Sequence, residues 1–264
     1  PKGFEGVDFF KRPFWQKILI SKEVNLSTLN LFINETESKE CSKYFNLNNS
    51  KYYPCTIHND YLKGPTTSRK TTLFNIAWSG KQNLIRKGIP ELLQAIRILK
   101  DEDIAVSLDL AGHCGDGAEW LLDMAKQLNI QDSISWLGPL DRQDKINRLR
   151  TCEIYVQPSH YEGFGLAMAE AMGCGACVIT CDVGAVRSVV GECGLYVEPG
   201  SPSDLAKGIK LVINDPELRN KLQIDAYQRA CREFAAEAKL KNLKKHLSDL
   251  GINSTVNHCS TLSK

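Results

Sequence analysis

Residues 154–175 read Ile154-Tyr-Val-Gln157-Pro-Ser-His-Tyr-Glu162-Gly-Phe-Gly165-Leu-Ala-Met-Ala-Glu170-Ala-Met-Gly-Cys-Gly175. The apolar run at 154–156 predicts a short buried strand, and the pattern over 166–173 predicts a helix. Between them lies a loop with two glycines. Working outward, the same alternation recurs: strands are expected over 73–79, 104–111, 134–137 and 176–180, and helices over 90–100, 117–129, 141–150 and 203–214. Strands joined by crossovers of this length pair in parallel, so an α/β fold with a parallel sheet and helices on both faces follows. Ligands of such sheets bind beyond the carboxyl ends of the strands. The loops at 80–88, 112–117, 138–141 and 157–165 are therefore the places to look for chemistry.

The chain changes character near residue 70. The first 70 residues are rich in Asn, Lys, Ser and Tyr, with short apolar runs at 18–20 and 31–33, and Gly64-Pro-Thr-Thr-Ser-Arg-Lys70 reads as a linker. Residues after Asp215 are charged and helical to about Leu250, and a polar, disordered tail is expected from 252 to 264.

Of 264 residues, 33 are Lys or Arg and 31 are Asp or Glu, a formal charge of +2. That balance argues against a dedicated nucleic-acid binder. A chain 42% hydrophobic and 24% charged holds enough apolar surface for a core. No apolar run approaches the roughly 20 residues of a membrane-spanning helix, and the first residues carry no signal-peptide pattern. Ten cysteines lie mostly alone, and the pair Cys174-Gly-Ala-Cys177 lacks a second pair to make a zinc site. They read as reduced structural thiols in a cytosolic setting. Four Asn-x-Ser/Thr triplets, at Asn25, Asn34, Asn48 and Asn253, are chance matches in an Asn- and Ser-rich chain.

Two loops carry chemistry. Ser79-Gly80-Lys81-Gln-Asn-Leu-Ile-Arg86-Lys87-Gly88 holds three cations between a strand and a helix. It suits an anion, although a solvated basic turn has the same composition. In the 157–165 loop, Gly163 and Gly165 let backbone approach a ligand where a helix begins. Glu162 precedes that helix and Glu170 lies two turns inside it, eight positions or about 12 Å along the axis. That span matches the reach from ribose to sugar in a nucleotide-sugar. Glu170 sits among apolar neighbours, where an unpaired carboxylate is costly, so a ligand role is favoured. A dinucleotide fingerprint is absent, because Gly163-Phe-Gly165 lacks the third glycine.

With these residues in place, the stretch from Phe74 to Leu222 resembles the donor-binding half of a retaining GT-B glycosyltransferase of glycosyltransferase family 4. The matching pieces, in the family's order, are Gly80-Lys81 with Arg86-Lys87-Gly88, Leu110-Ala-Gly112, Trp136-Leu-Gly138, Pro158-Ser159 with Glu162-Gly-Phe-Gly165, Glu170-Ala-Met-x-Cys-Gly175, Asp182-Val-Gly184, Gly194-Leu-Tyr-Val with Pro199-Gly200, and Asp215-Pro-Glu-Leu-Arg219.

The resemblance implies a Rossmann-like sheet forming the C-terminal half of a GT-B fold, with the N-terminal domain largely missing. Residues 1–70 would be the end of that domain and its linker, 71–250 the nucleotide-sugar-binding domain and 251–264 a polar tail. It implies a hexosyltransferase acting on a UDP-, GDP- or ADP-sugar and a glycan or lipid-linked acceptor, in surface polysaccharide or glycoconjugate biosynthesis. Glu162, Lys81 and Lys87 take the catalytic positions, the two lysines on the diphosphate and Glu162 facing the sugar. Gly80, Arg86, Gly112, Gly163, Phe164, Gly165 and Leu166 line the donor, and Glu170 holds the ribose hydroxyls. Neither metal nor cofactor is expected. The setting implied is cytoplasmic, at the inner membrane face, with peripheral membrane contact through the missing half.

Lys81 stands where arginine is usual, keeping the charge and losing the bidentate fork. Cys177 replaces a usual Pro, and Arg187-Ser188 a common Pro-Glu pair. His58 stands in a Pro-Asn-Gly type of turn and is given no catalytic part. The other reading is a donor-binding module or subunit that is inactive without an acceptor-binding partner.

Overall fold

The computed structural model describes residues 11–47, 49–68, 71–76, 80–113 and 116–252. The expected tail from 253, the end of the 73–79 strand, the last two linker residues, Asn48, Cys114 and Cys259 lie outside them. The amino-terminal part carries α1 (Phe14–Leu26), β1 (Asn30–Phe32), α2 (Glu35–Cys41) and β2 (Ser50–Tyr52), with β1 and β2 paired in parallel. A 3-10 turn at Asn59–Tyr61 precedes the main unit.

The main unit follows as β3 (Thr71–Ile76), α3 (Lys81–Arg86), α4 (Ile89–Asp101), β4 (Leu108–Ala111), α5 (Asp116–Gln127), β5 (Ile134–Gly138), α6 (Arg142–Thr151) and β6 (Cys152–Gln157). It continues through α7 (Leu166–Gly173), β7 (Cys177–Cys181), α8 (Val186–Val190), β8 (Leu195–Val197), α9 (Pro202–Asn214), α10 (Pro216–Glu233) and α11 (Ala236–Asp249). Among the described residues, β3 to β8 form a six-stranded sheet in the order β5-β4-β3-β6-β7-β8, and every pair is parallel. This is the α/β architecture expected, and the order reverses between β3 and β6, where Leu73 registers with Ile154. The carboxyl ends of those two strands frame the crevice in which such sheets bind ligands.

Both sheet faces are covered. Leu92, Ile96, Leu99 and Ile209 from α4 and α9 pack on one face with Leu73, Leu108 and Ile154. Met168, Met172, Ala226 and Ala230 from α7 and α10 pack on the other with Phe74 and Tyr155. Burial on both faces explains why the strands read as continuous apolar runs and not as alternating ones.

Two expectations change, and two short elements are added. The strand expected from 104 begins at Leu108. Just before it, the backbone amides of Thr72 and Ser107 donate to each other's hydroxyls (3.1 and 3.4 Å), beside a backbone bond from the Leu73 amide to the Ser107 carbonyl (2.8 Å). The 80–88 loop contains the short helix α3, anchored by the fully buried Leu84, too short to leave a periodic signal. β8 and α8, three and five residues long, are equally silent in the sequence. No helix among the described residues is long and apolar enough to cross a membrane.

Candidate active site

At the crevice the 80–88 and 157–165 loops are joined backbone to backbone. The His160 amide donates to the Arg86 carbonyl (2.8 Å), and the Arg86 guanidinium donates to the Tyr161 carbonyl (2.7 Å) and the Asn83 side chain (2.8 Å). Gly88 makes this approach possible. Its φ is +70°, and a Cβ there would lie 2.0 Å from the Pro158 carbonyl oxygen, which no side chain tolerates.

The joined loops bury a carboxylate. Glu162 Oε1 accepts from Lys87 Nζ (2.5 Å), Gln157 Nε2 (2.8 Å) and Ser159 Oγ (2.9 Å), with Arg86 3.7 Å away. Glu162 is 6% exposed and Lys87 8%. A carboxylate this buried costs several kcal/mol unless its charge and lone pairs are compensated, and here three donors converge on one oxygen. Tyr155 completes the network by donating to Gln157 Oε1 (2.6 Å). Burial first, then the nearby Glu162 and Glu170, pushes the Tyr155 hydroxyl well up, so it stays a donor. The loop is therefore no solvated basic turn at its Lys87 end.

Helix α7 starts on Gly165, whose φ of +96° and whose missing Cβ, 2.2 Å from Met168 Cε if built, allow a tight entry. Phe164 turns into the core, its ring edge-on to Phe234 at 5.9 Å between centres. A donor contact from Phe164 would thus be made by backbone. Gly163 has open space where a Cβ would stand, and its carbonyl accepts from the Asn34 side chain (3.0 Å). Asn34 also caps α2 by accepting from the Glu37 amide (2.7 Å), so the amino-terminal part is tied to this loop.

Glu170 lies on α7 with both oxygens accepting from Lys145 Nζ (3.1 and 3.0 Å). Burial alone would lower the Lys145 ammonium, but its hydrogen bonds to Tyr61 and Glu170 outweigh that and raise it. The cost of burying Glu170, which favoured a ligand in the sequence reading, is thus offset in part by a protein cation. A cavity of about 290 Å³ opens beside the pair, lined among others by Gly112, Leu140, Leu166 and Glu170.

Lys81, the first residue of α3, is exposed, with its ammonium 5.0 Å over the Trp120 ring. Lys81 and Lys87 therefore engage different partners, while Gly80 caps α3 with φ +102°. Sequence reasoning missed Lys145, Gln157, Ser159 and Asn34. Gln157 and Ser159 stood inside the quoted loop, and their polarity beside a buried strand end was a usable signal. Lys145 and Asn34 left none, being 25 and 129 residues from their partners. Among the described residues no group of three His, Cys, Asp or Glu side chains is placed to hold a metal.

Comparison with known proteins bears on this crevice. The family model described as Glycosyl transferases group 1 matches residues 74–229, more than half of the chain and all of the Glu162 and Glu170 region. The glycogen synthase of Mycobacterium tuberculosis is 29% identical over 150 residues, which are 56% of this chain and 36% of that protein. The chain thus spans about a third of that relative's length. Sucrose-phosphate synthase from Thermosynechococcus elongatus superposes with a TM-score of 0.72 at 22% identity, covering 93% of this chain and 64% of that one. The Anabaena protein HepE, solved in complex with UDP and glucose, gives 0.73 at 16% identity, covering 88% and 66%. These likenesses confirm the GT-B half expected for the sheet, and the family match decides the rest: the chain belongs to the group 1 glycosyltransferases.

Proposed function

We propose that this chain binds a nucleotide-sugar at the β3–β6 crevice and that the protein transfers a hexosyl group to a hydroxyl acceptor with retention, as in glycosyltransferase family 4. The observation that carries this reading is the pair of buried carboxylates, each held by its own lysine and set eight residues apart across the start of α7. Glu170 borders the cavity and is assigned the ribose hydroxyls. Lys87 and Arg86 face the diphosphate, with Lys81 approaching from the start of α3. Glu162 and the open Gly163 face the sugar.

In the reaction proposed, the bond from the sugar C1 to the β-phosphate oxygen breaks as the acceptor oxygen bonds to C1 on the same face. The acceptor proton passes to the departing phosphate oxygen. Lys87 offsets the charge left on the diphosphate, which requires its ammonium to be shared with Glu162 or released from it. The proposal needs no metal, and it includes a UDP-, GDP- or ADP-sugar as donor and a glycan or lipid-linked acceptor. A role in surface polysaccharide or glycoconjugate biosynthesis at the cytoplasmic membrane face goes with it.

A thermal-shift screen with UDP, GDP, ADP and their sugars tests the donor, since a bound ligand raises the apparent Tm by mass action. Calorimetry on Glu170→Ala tests the assignment, and an unchanged affinity refutes it. A second reading is tested alongside. In that reading the chain holds the donor and turns over only with a partner that supplies the acceptor side.

A further inference from the structure

Helix α6 carries cations at a spacing of three, and each meets an acid on a different element. Arg142 stands 3.7 Å from Asp60 in the 3-10 turn, Lys145 3.0 Å from Glu170 on α7, and Arg148 2.6 Å from Asp109 on β4. Lys145 is the middle member and sits at the wall between two cavities. The first, of about 290 Å³, and a second, of about 350 Å³ on the side of the 3-10 turn, share Leu140, Lys145, Leu166 and Glu170. The Tyr61 ring, 4.9 Å from the ammonium, backs Lys145 from the turn.

A carboxylate offers about four lone-pair directions, two per oxygen. Lys145 donates to both oxygens of Glu170 and so occupies one direction on each. The Tyr61 hydroxyl also interacts with Glu170, and the lone-pair directions these two partners leave, on a carboxylate that lines both cavities, suit adjacent hydroxyls. Without that two-point hold the terminal torsion of a Glu side chain is broad, and the carboxylate plane is not set.

The geometry points to Lys145 as a positioning residue that orients Glu170 for a vicinal diol and thereby makes the site discriminate ribose from 2′-deoxyribose. The inference rests on the proposed assignment of Glu170 to the ribose and adds what enforces it. Lys145 acts through Glu170 and need not touch the nucleotide.

The test uses the full chain and whichever of UDP, GDP and ADP raises its Tm most, together with the 2′-deoxy form of that nucleotide, by calorimetry. The unaltered chain is expected to bind the ribonucleotide about tenfold more tightly than the deoxy form, the worth of one well-made hydrogen bond. Lys145→Met is expected to bring that ratio to about twofold or less, and Lys145→Arg, whose fork can also engage both oxygens, to keep most of it. Should Lys145→Met fail to fold, Lys145→Gln, with one uncharged donor group, reads the same ratio.

Equal weakening of both nucleotides by Lys145→Met or Lys145→Gln is the mark of a merely structural role and overturns the inference. Loss of discrimination in Glu170→Gln but not in the Lys145 variants overturns it while leaving the ribose assignment standing. If Glu170→Gln changes neither affinity, or if none of the three nucleotides binds the unaltered chain, the assignment and the inference fall together.

Discussion

Lys87 Nζ and Glu162 Oε1 meet 2.5 Å apart, each residue less than a tenth exposed, although 75 residues separate them in the chain. The pair joins the two loops of the crevice, so its stability and its chemistry are linked.

Lys87→Ala removes the counter-charge and leaves Glu162 buried among neutral donors and a half-exposed arginine. Breaking one side of a buried pair costs about 3–5 kcal/mol, whereas Lys87→Met with Glu162→Gln removes both charges and is expected to recover most of that. Urea denaturation of the single and double variants decides. A single variant within about 0.5 kcal/mol of the parent contradicts the pairing, since that is the range of ordinary surface changes.

The same residue is the one proposed to meet the diphosphate. Lys87→Ala is expected to weaken a nucleoside diphosphate about tenfold or more, a charge-assisted hydrogen bond being worth about 1.5–3 kcal/mol, and to leave the bare nucleoside nearly unchanged. Equal losses for both ligands, measured by calorimetry, refute the diphosphate role.

Two loop glycines behave oppositely. Gly88→Ala forces a Cβ onto the Pro158 carbonyl at positive φ, and a loss of about 2 kcal/mol or more is expected from strain and displacement of the joined loops. Gly163→Ala meets open space, so its Tm is expected to stay near the parent's while donor affinity falls, because the added methyl would stand on the surface proposed to face the sugar. Thermal melts with and without nucleotide-sugar separate the two effects.

Asn34→Ala removes both the α2 cap and the bond to the Gly163 carbonyl. A loss of about 0.5–2 kcal/mol follows from the cap. Faster amide exchange is expected in residues 163–165 as well as in α2. Exchange confined to α2 means that the link between the amino-terminal part and the loop is not maintained in solution.

Burial pushes the Cys174 and Cys181 thiols up to about 12; Glu170 adds to the effect at Cys174 against three nearby cations, and Glu91, Glu198 and Asp204 add to it at Cys181. Native protein at pH 8 is therefore expected to protect both from iodoacetamide, with rapid labelling after denaturation; mass spectrometry of the labelled peptides checks it. The folded chain holds these protons more tightly than the unfolded chain, whose thiols titrate near 9. Stability accordingly falls as pH rises from about 9 towards 12.

Much of this fold was legible from residue order. The 154–175 run announced strand, glycine loop and helix, and β6, the 157–165 loop and α7 follow it to within a residue or two. α3, α8 and β8 were not legible, because three to six residues give no period to detect and only packing holds them. Glu162 and Glu170 were visible as carboxylates in unusual company, but what holds each was not. Glu170's apolar neighbours suggested an unpaired charge, and α6 supplies Lys145 from outside that stretch.

The sequence by itself determined what is local: the alternation that demands a parallel sheet, the glycines that let backbone turn and approach, and the spacing of two glutamates about a helix start. The tertiary structure decided who meets whom. Lys87 reaches Glu162 because the strand order reverses between β3 and β6 and sets their loops side by side, while Lys145 reaches Glu170 from α6 and Asn34 reaches Gly163 from the amino-terminal part. The physical reason is that strand and helix periods act over a few residues, whereas charge pairing in a buried crevice depends on distances that only the assembled sheet defines.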